Sequence, residues 1–381
     1  MHEGLISEPT FSFSRLEAVL DCLEAEASAN DPAAAFPGEG MATLARLGVT
    51  ALPLPRSSGG RGWGTEAGGE PALLHLLRLT GRASLALGRL LEGHVNAVRL
   101  VTRYGGPEQT RRLATAIHAG ALLGVWASDG PVPVRMTVDR DRVSLTGGKS
   151  FTSGALHVTH PLITATDPEG VSRMILVPLG ADRRAVPSIG GLTGMRGAET
   201  GRCDLDGLTL STASLIGQAG DYLRQPEFSA GAWRGMAVAL GGMDRLVDLL
   251  RQQLVARSRD GDPHQRTRIG EALIARETAF FWTRRAALAA GEPDMDPGDV
   301  AQTVNLARLA VEHAALHIIE RVQRGLGLSA FVQTNPVERV LRDLATYLRQ
   351  PAPDETLVEA AGWFTGRDPP QPESTEPGYP S

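Results

Sequence analysis

Cysteine and lysine are scarce in this sequence, and basic residues are not in excess. Among 381 residues there are two cysteines, Cys22 and Cys203, and one lysine, Lys149. Because the cysteines lie far apart and neither belongs to a paired motif, a cysteine-based zinc site and a redox disulfide are excluded, and we expect two ordinary buried thiols. The net charge of -5 gives no sign of the basic surface that nucleic-acid binding requires. We therefore expect small molecules or proteins as partners, and no nucleic acid.

Long apolar runs are also missing. No uncharged apolar segment reaches the length of a membrane span, and Met1-His2-Glu3-Gly4 lacks the basic start and apolar stretch of a signal peptide. A cytoplasmic protein that does not enter the membrane is the expectation. The hydrophobic content of 42% is enough for a large core in a chain of this length.

The first part of the chain shows helical periodicity. The stretch Ser14 to Glu17 has the pattern of a capping box and is followed by an amphipathic stripe. Over residues 71–103 the apolar residues recur too densely for a surface helix, which predicts core helix with a break near Gly81. A short helix over 108–118 completes a predicted helical domain of residues 1–119.

Between residues 120 and 216 the periodicity changes to that of strands. Short apolar runs are separated by Gly, Pro and Asp, and Asp139-Arg140-Asp141 has the pattern of a hairpin tip. This pattern indicates a small antiparallel β-barrel or sandwich. The predicted strands cover residues 122–126, 136–138, 143–145, 162–166 and 174–179.

Helical periodicity returns over residues 217–366 and predicts a C-terminal four-helix bundle. Residues 367–381 are rich in Pro, Glu and Gly and have few apolar side chains, which predicts a disordered tail. The fold class is therefore mainly α with a central β-domain. The predicted bundle helices cover residues 233–257, 264–290, 299–324 and 337–348.

One part of the predicted β-domain resembles the acyl-CoA dehydrogenase superfamily. In that family a strand ends in a G-x-K-x-(W/F)-x-(T/S) run, and Lys149, Phe151 and Ser153 stand at the matching positions of Gly147 to Gly154. The segment Val125 to Pro131 takes the place of a T-E-P type sequence on an earlier family strand.

Two more segments extend this resemblance over nearly the whole chain. Gly194 to Gly197 is similar to the family's G-M-R-G turn, and Pro336 to Asp343 is close to its P-V-E-R-x-x-R-D signature. Each motif alone is weak evidence. Their order, together with the order of the three predicted domains, is specific to the superfamily.

The resemblance implies a bound FAD. A flavin ring needs an aromatic or apolar face and a few fixed donors along its polar edge. Phe151 and Trp126 would supply the face, and Ser128 and Ser153 the polar contacts. The alternative is that the two aromatic residues are core and the serines form turns. The cofactor-binding positions that the resemblance implies, including substitutes for the family's adenine and pyrophosphate contacts, are Trp126, Ser128, Phe151, Ser153, Arg257, Gln265 and Gly325.

The family's catalytic glutamate has no clear counterpart. Dehydrogenation of an acyl thioester needs a carboxylate base facing the substrate, but Pro351 falls at or near the expected position after Arg342-Asp343. Some relatives carry the base on an earlier bundle helix, where this chain has residues 233–235, none of them acidic. Asp354 or Glu355 is a possible replacement. We assign no catalytic residue.

Three other groups of residues have a structural interpretation that we favour over a functional one. His94 matches a place where the family often has a histidine facing the active-site cleft, but a core or capping role is favoured. His313, His317 and Glu320 would share a helix face, which favours a polar surface over a metal site. The glycine-rich stretch 59–64 is interpreted as a structural turn.

Three functions therefore stay open. The first is a FAD-dependent oxidoreductase acting on an acyl-CoA, another acyl thioester or a related substrate, with an unassigned electron acceptor. The second is a reduced-flavin monooxygenase. The monooxygenases of the superfamily place histidines on the last bundle helices, whereas this sequence has none after Ala330. The third is a non-catalytic binding protein that retains the fold. In each case the resemblance implies a homodimer or homotetramer, in which the long apolar helices would be buried.

Overall fold

The structure, a computed structural model, describes residues 11–180, 185–187 and 191–367. Helices occupy both ends of this range and strands its middle, so the predicted order of helices, strands and helices is confirmed. The predicted tail lies outside the described residues from residue 368 onward. The N-terminal helices are α1 (Phe13–Glu17), α2 (Leu20–Asn30), α3 (Gly38–Arg46), α4 (Glu70–Ala83), α5 (Leu85–Tyr104) and α6 (Pro107–His118).

The middle of the chain forms a mixed sheet and a smaller sheet. The strands are β1 (Leu123–Trp126), β2 (Arg135–Asp139), β3 (Arg142–Thr146), β4 (Gly148–Thr152), β5 (His160–Thr166), β6 (Ser172–Leu176), β7 (Ala185–Pro187), β8 (Gly201–Asp204), β9 (Thr209–Ser211) and β10 (Leu215–Ile216). The larger sheet has the order β10-β6-β5-β2-β3-β9, with β1 also paired to β5, and the smaller one has the order β4-β8-β7.

The prediction of a purely antiparallel domain is wrong at β5. This strand pairs antiparallel with β6, but its other edge is shared by β1 and the first residue of β2, both in parallel. Local alternation predicts where strands lie, whereas pairing between strands that are distant in sequence leaves no local signal. The hairpin is confirmed, because Asp139 pairs with Arg142.

One predicted boundary in the N-terminal helices is wrong. The cap of α1 is Ser12, whose hydroxyl accepts the backbone N–H of Arg15 at 3.3 Å, and not Ser14. The predicted break near Gly81 is confirmed and falls at Ser84, whose hydroxyl caps α5. Gly81 continues α4 because the missing side chain lets that helix lie against the Val238 backbone.

The C-terminal part contains α7 (Glu227–Ala230), α8 (Ala232–Ala256), α9 (Pro263–Gly291), α10 (Pro297–Leu326), α11 (Pro336–Tyr347) and α12 (Pro353–Thr365). Helices α8 to α11 match the four predicted helices closely. The sequence analysis missed α12, which packs on α10 through a 2.8 Å hydrogen bond from Trp363 to the Asp299 carboxylate. In the described residues no helix combines the length and apolar content of a membrane span.

Helices from the two ends of the chain share one core. Helix α4 lies against α8, and the Arg78 guanidinium donates to both carboxylate oxygens of Asp244 at 2.6 and 2.9 Å. Cys203 is buried as expected. Cys22 is exposed on α2, so the prediction of two buried thiols is wrong for this residue.

Candidate functional site

Phe151 protrudes from the smaller sheet at a β-bulge. In the pairing of β4 with β8, Ser150 faces Arg202 and Thr152 faces Gly201, which leaves Phe151 as an extra residue. Its φ is +54°, and 58% of its surface is exposed. A bulge redirects a side chain, and a left-handed backbone is unfavourable for a bulky residue, so it persists only where the surroundings impose it. The fold therefore presents an aromatic ring to solvent at an energetic cost.

Trp126 lies beneath the turn that follows Phe151. The indole N–H donates to the Ser153 carbonyl at 3.1 Å, and only 2% of the residue is exposed. The Ser153 hydroxyl lies 3.4 Å from the Thr200 hydroxyl. The buried indole agrees with the alternative interpretation of Trp126 as a core residue. The hydrogen bond also fixes the backbone of Ser153, so Trp126 supports the turn that carries this predicted contact.

Lys149 holds the segment that carries Ser128. Its ammonium is 1% exposed and donates to the Ala127 carbonyl at 3.0 Å, the Asp129 carboxylate at 2.6 Å and the Thr164 hydroxyl at 2.9 Å. Burial lowers the pKa of Lys149, and the bond to Asp129 opposes this shift. Ser128 itself is exposed, and its carbonyl accepts the N–H of Ser150 at 3.0 Å. The exposed residues Ser128 and Phe151 are thus carried by neighbouring, hydrogen-bonded backbone.

The two remaining family-like motifs meet in space. The Asp343 carboxylate on α11 accepts the backbone N–H of Met195 at 2.6 Å, and a methyl group on Gly194 would collide with the Arg342 carbonyl. Arg342 also pairs with Asp31 at 2.7 Å. Burial raises the pKa of Asp343, which the Met195 N–H partly offsets. This contact fixes α11 against the turn that precedes β8, the partner of the Phe151 strand.

Arg257, Gln265 and Gly325 form a separate cluster. Gln265 is 2% exposed, and its amide N–H donates to the Gly325 carbonyl at 3.2 Å. Arg257 is exposed and donates to Ser329, just beyond α10, at 3.0 Å. In residues 11–367, as far as they are described, no hydrogen bond or ion pair joins this cluster to Phe151. The structure thus brings the seven predicted residues together as two groups.

No family model matches the chain. An acryloyl-CoA reductase (NADH) of Anaerotignum propionicum is 27% identical over 259 residues, which are 63% of this chain and 64% of that protein. The chain thus matches less than two thirds of the reductase. With so low an identity over part of each chain, this similarity is a distant one.

Solved structures share the fold over almost the whole chain. KijD3 in complex with dTDP has a TM-score of 0.81 and 18% identity, over 93% of this chain and 95% of KijD3. TdsC from Paenibacillus sp. A11-2, solved with FMN and indole, has a TM-score of 0.78 and 20% identity over 94% and 98%. A nitrososynthase from Micromonospora carbonacea var. africana has a TM-score of 0.78 and 19% identity over 93% and 94%. At these identities the similarity establishes the fold.

His94 has the favoured structural role. It is fully buried on α5, its Nδ1 accepts the N–H of Leu123 at 3.1 Å, and its Nε2 lies 2.9 Å from the Thr50 carbonyl. Both ring nitrogens are therefore engaged, with the proton on Nε2. Burial lowers the pKa of His94 to about 4. The glycine-rich stretch 59–64 forms the predicted turn, in which the Gly62 N–H donates to the Leu54 carbonyl at 2.8 Å.

The carboxylates proposed as replacement bases lie on the surface. Asp354 and Glu355 are exposed in the first turn of α12, and Pro351 is exposed between α11 and α12. His313 and Glu320 are exposed on α10. Among the residues placed by the structure, no group of three His, Cys, Asp or Glu side chains is arranged to hold a metal ion.

Two polar groups near the Phe151 turn were missed by the sequence analysis. His157 stacks on Phe36 with ring centroids 3.7 Å apart, and its Nε2 lies 3.1 Å from the Glu199 carboxylate. The second group is a buried cluster in which the Glu92 carboxylate accepts from Arg89 and Asn96. The sequence shows that residues 89, 92 and 96 share one helix face. It does not show which residues of other helices, such as Arg234 of α8, contact this group.

Proposed function

We propose that the chain is a flavin-dependent oxidoreductase whose flavin ring lies against Phe151. The observation that carries this proposal is the bulge, which holds an aromatic ring exposed in an unfavourable backbone conformation. Ser153 follows this ring two residues later, and the neighbouring Ser150 is hydrogen-bonded to the backbone of Ser128. The shared fold supports it, because TdsC and KijD3 were solved with FMN. These residues fit a flat ring that needs one apolar face and a polar edge.

In this proposal each group has a defined task. Phe151 covers one face of the ring, and Ser128 and Ser153 contact its polar edge. Trp126 and Lys149 act indirectly, because their hydrogen bonds hold Ser153 and the Ala127–Asp129 segment in place. When bound, a flavin supplies an acceptor or donor of hydride or of single electrons.

The proposal predicts that FMN binding depends on Phe151. Loss of the aromatic face in Phe151→Ala should weaken FMN binding about fivefold, because a stacked aromatic contributes on the order of 1 kcal/mol. Phe331→Ala is the matched control, since Phe331 is also exposed, at 57%, but lies at the other cluster. Quenching of flavin fluorescence measures the dissociation constant of FMN for each variant. Failure of the wild-type protein to bind FMN or FAD would refute the proposal and favour a binding protein without redox chemistry.

The choice between FAD and FMN rests on the second cluster. We propose FAD, with Arg257, Gln265 and Gly325 near its adenine half, and this half must then reach the cluster of the same or a neighbouring chain. Arg257→Ala should weaken FAD binding several-fold and leave FMN binding unchanged. Equal binding of FAD and FMN by both proteins would instead indicate that the cluster is structural and that FMN suffices.

We propose an acyl thioester as the substrate, with a non-standard or absent general base. The partial similarity to the acryloyl-CoA reductase supports this class. Anaerobic addition of butyryl-CoA to the flavin-loaded protein should bleach the absorption of the flavin. An unchanged spectrum, with the flavin still reducible by dithionite, would count against the thioester.

A reduced-flavin monooxygenase is the second candidate. It is favoured by the surface position of Asp354 and Glu355, the two carboxylates predicted as replacement bases, and by the fold shared with TdsC, a dibenzothiophene monooxygenase. This candidate requires an external reductase and predicts substrate-dependent oxygen uptake. The test is an oxygen electrode trace with chemically reduced FMN and indole as a trial substrate.

A further inference from the structure

Gly235 on α8 lies opposite the buried hydroxyl of Tyr347. A methyl group built on Gly235 would lie 3.3 Å from the Tyr347 hydroxyl oxygen and 4.0 Å from its Cζ. Outside the helix itself, no other heavy atom of the described residues would lie within 4 Å of it. Gly235 itself is partly exposed. Open space therefore borders α8, and Tyr347 forms one wall of it.

The Tyr347 hydroxyl has no hydrogen-bond partner among the residues that the structure describes. The oxygen is fully buried, and only 9% of the residue is exposed. Buried polar groups in folded proteins are nearly always hydrogen-bonded, so an orphan hydroxyl beside open space indicates a missing partner.

The neighbouring polar groups have partners. Glu92 accepts from Arg89 at 2.5 Å and from Asn96 at 2.6 Å, and the Asn96 carbonyl accepts from Arg234 at 2.7 Å. The Nε of Arg234 lacks a partner in the described part of the chain, but it lies 3.7 Å from the methyl position on Gly64, at another side of the cluster. Among these described groups, the Tyr347 hydroxyl is therefore the one beside Gly235 that can still make a hydrogen bond.

The hydroxyl acts as a donor to a neutral group. Burial raises the pKa of Tyr347 well above its ordinary value, and the Glu92 carboxylate raises it further. The phenol therefore stays protonated at neutral pH. Because Arg89 already neutralises Glu92, no unpaired charge of this pair attracts an anion.

Helix α5 links the Tyr347 hydroxyl to the Phe151 turn. This helix, which carries Arg89 and Glu92, packs on β1, and a methyl group on Gly154 would lie 2.9 Å from Leu90 of the same helix. Helix α11, which ends at Tyr347, packs on α5 and α8 and is fixed to Met195. The hydroxyl thus lies on a helix that packs on α5, and α5 in turn contacts the strand and turn of the proposed flavin site.

We propose that Tyr347 donates a hydrogen bond to the carbonyl oxygen of the substrate and that the group carrying this carbonyl lies against Gly235. The inference rests on the proposed function and deepens it, because it assigns a substrate-contacting residue and the chemistry that this residue recognises. A site built around a donor discriminates against an analogue that lacks the acceptor.

The test compares two ligands that differ by the carbonyl. Butyryl-CoA and its thioether analogue S-butyl-CoA are titrated into the flavin-loaded protein by calorimetry. Wild type should bind the thioester about tenfold more tightly than the thioether, and Tyr347→Phe should bind both equally. Tyr222→Phe, another largely buried tyrosine, is the control and should keep the preference. Gly235→Ala should weaken both ligands by the same factor, because the methyl group fills the shared space.

Flavin binding and melting temperature separate the possible failures. All variants should bind FMN as the wild type does, and Tyr347→Phe should melt no lower, because the hydroxyl has no hydrogen-bond partner among the described residues. A Tyr347→Phe protein that keeps the thioester preference, or that loses stability without losing the preference, would overturn the inference. Binding of neither CoA compound to a protein that holds flavin would overturn it too. A protein without flavin would instead refute the proposed function.

Discussion

Lys149, the one lysine of the chain, is a structural residue of the candidate site. Its three hydrogen bonds join β4 to the Ala127–Asp129 segment and to Thr164 on β5. Because the ammonium lies between two sheets, its loss affects the position of Ser128 as well as stability.

Lys149→Met should destabilise the protein by about 2 kcal/mol, since it removes the charged donor that the Asp129 carboxylate, the Ala127 carbonyl and the Thr164 hydroxyl share. FMN affinity should fall as well, through displacement of Ser128. Urea unfolding and fluorescence titration measure the two effects. The matched control is Arg135→Met on the exposed start of β2, which should change neither. An unchanged unfolding midpoint for Lys149→Met would contradict this structural role.

His94 makes stability depend on pH. Its pKa is about 4 in the folded protein against 6.5 for an ordinary histidine, so the unfolded chain binds the extra proton between these values. The contribution of neutral His94 is fully present above pH 6.5 and is lost as the pH falls towards 4. From pH 7.5 to pH 5 the expected loss is about 2 kcal/mol.

Urea unfolding at the two pH values tests this expectation. His94→Gln keeps an acceptor for Leu123 and a donor for Thr50 without titrating, so its stability should fall less on acidification. The same loss in both proteins would assign the pH dependence to other groups.

For single residues, the sequence indicated which side chains are candidates for the site better than it indicated their surroundings in the fold. Phe151 was recognised as an aromatic contact, but its bulge depends on the register of β4 against β8, which no local pattern specifies. The unpaired state of the Tyr347 hydroxyl among the described residues could not be predicted either, because its surroundings depend on how α5 and α8 pack.

The crossing of α4 and α8 depends on glycine. A methyl group on Gly241 would collide with the Arg78 carbonyl and lie 2.8 Å from the Gly81 carbonyl carbon. The two helices can therefore approach closely, which shows why Gly81 does not break α4. The sequence predicted the break near Gly81 but not the contact that Gly81 makes, because the residue type alone does not distinguish a break from a close approach of two helices.

Gly241→Ala should destabilise the protein by about 2 kcal/mol or more, because two backbones would have to move apart. The control is Gly270→Ala within α9, where no heavy atom of the described residues beyond the helix's own backbone lies within 4 Å of the new methyl group. That change should stabilise by about 0.5 to 1 kcal/mol through helix propensity. Thermal unfolding compares both, and a stabilising Gly241→Ala would contradict the close crossing.

The outer face of α9 carries an apolar stripe that bears on assembly. Ile274, Phe281 and Leu288 are 70%, 59% and 44% exposed and recur every seven residues, so they share one helix face. We propose that this stripe contacts a second copy of the chain, in line with the predicted homodimer or homotetramer.

Ile274→Glu combined with Phe281→Glu should reduce the mass in solution to that of one chain, because the charges would be buried in the contact. Light scattering coupled to gel filtration measures the mass. Val358→Glu on α12, where the side chain is 73% exposed, is the control and should leave the mass unchanged. A wild-type protein that runs as a monomer would refute the proposed contact.

For the molecule as a whole, the order of helices, strands and helices was predictable because each segment has its own hydrophobic period. The mixed pairing at β5 and the shared core of α4 and α8 were not, since they join distant segments. The division into residues 1–119, 120–216 and 217–366 stays a prediction. Because α4 packs on α8, residues 1–119 and residues 217–366 share one hydrophobic core.

The close pairing of α4 with α8 also has a consequence for the synthesis of the protein. Arg78 and Asp244 are 166 residues apart, so α4 leaves the ribosome long before its partner helix exists. At ordinary rates of translation the delay is on the order of ten to thirty seconds. During this time the face of α4 that packs on α8 lacks this partner, and a nascent chain stalled before α8 should be a good ligand for a chaperone that binds exposed leucine-rich helices.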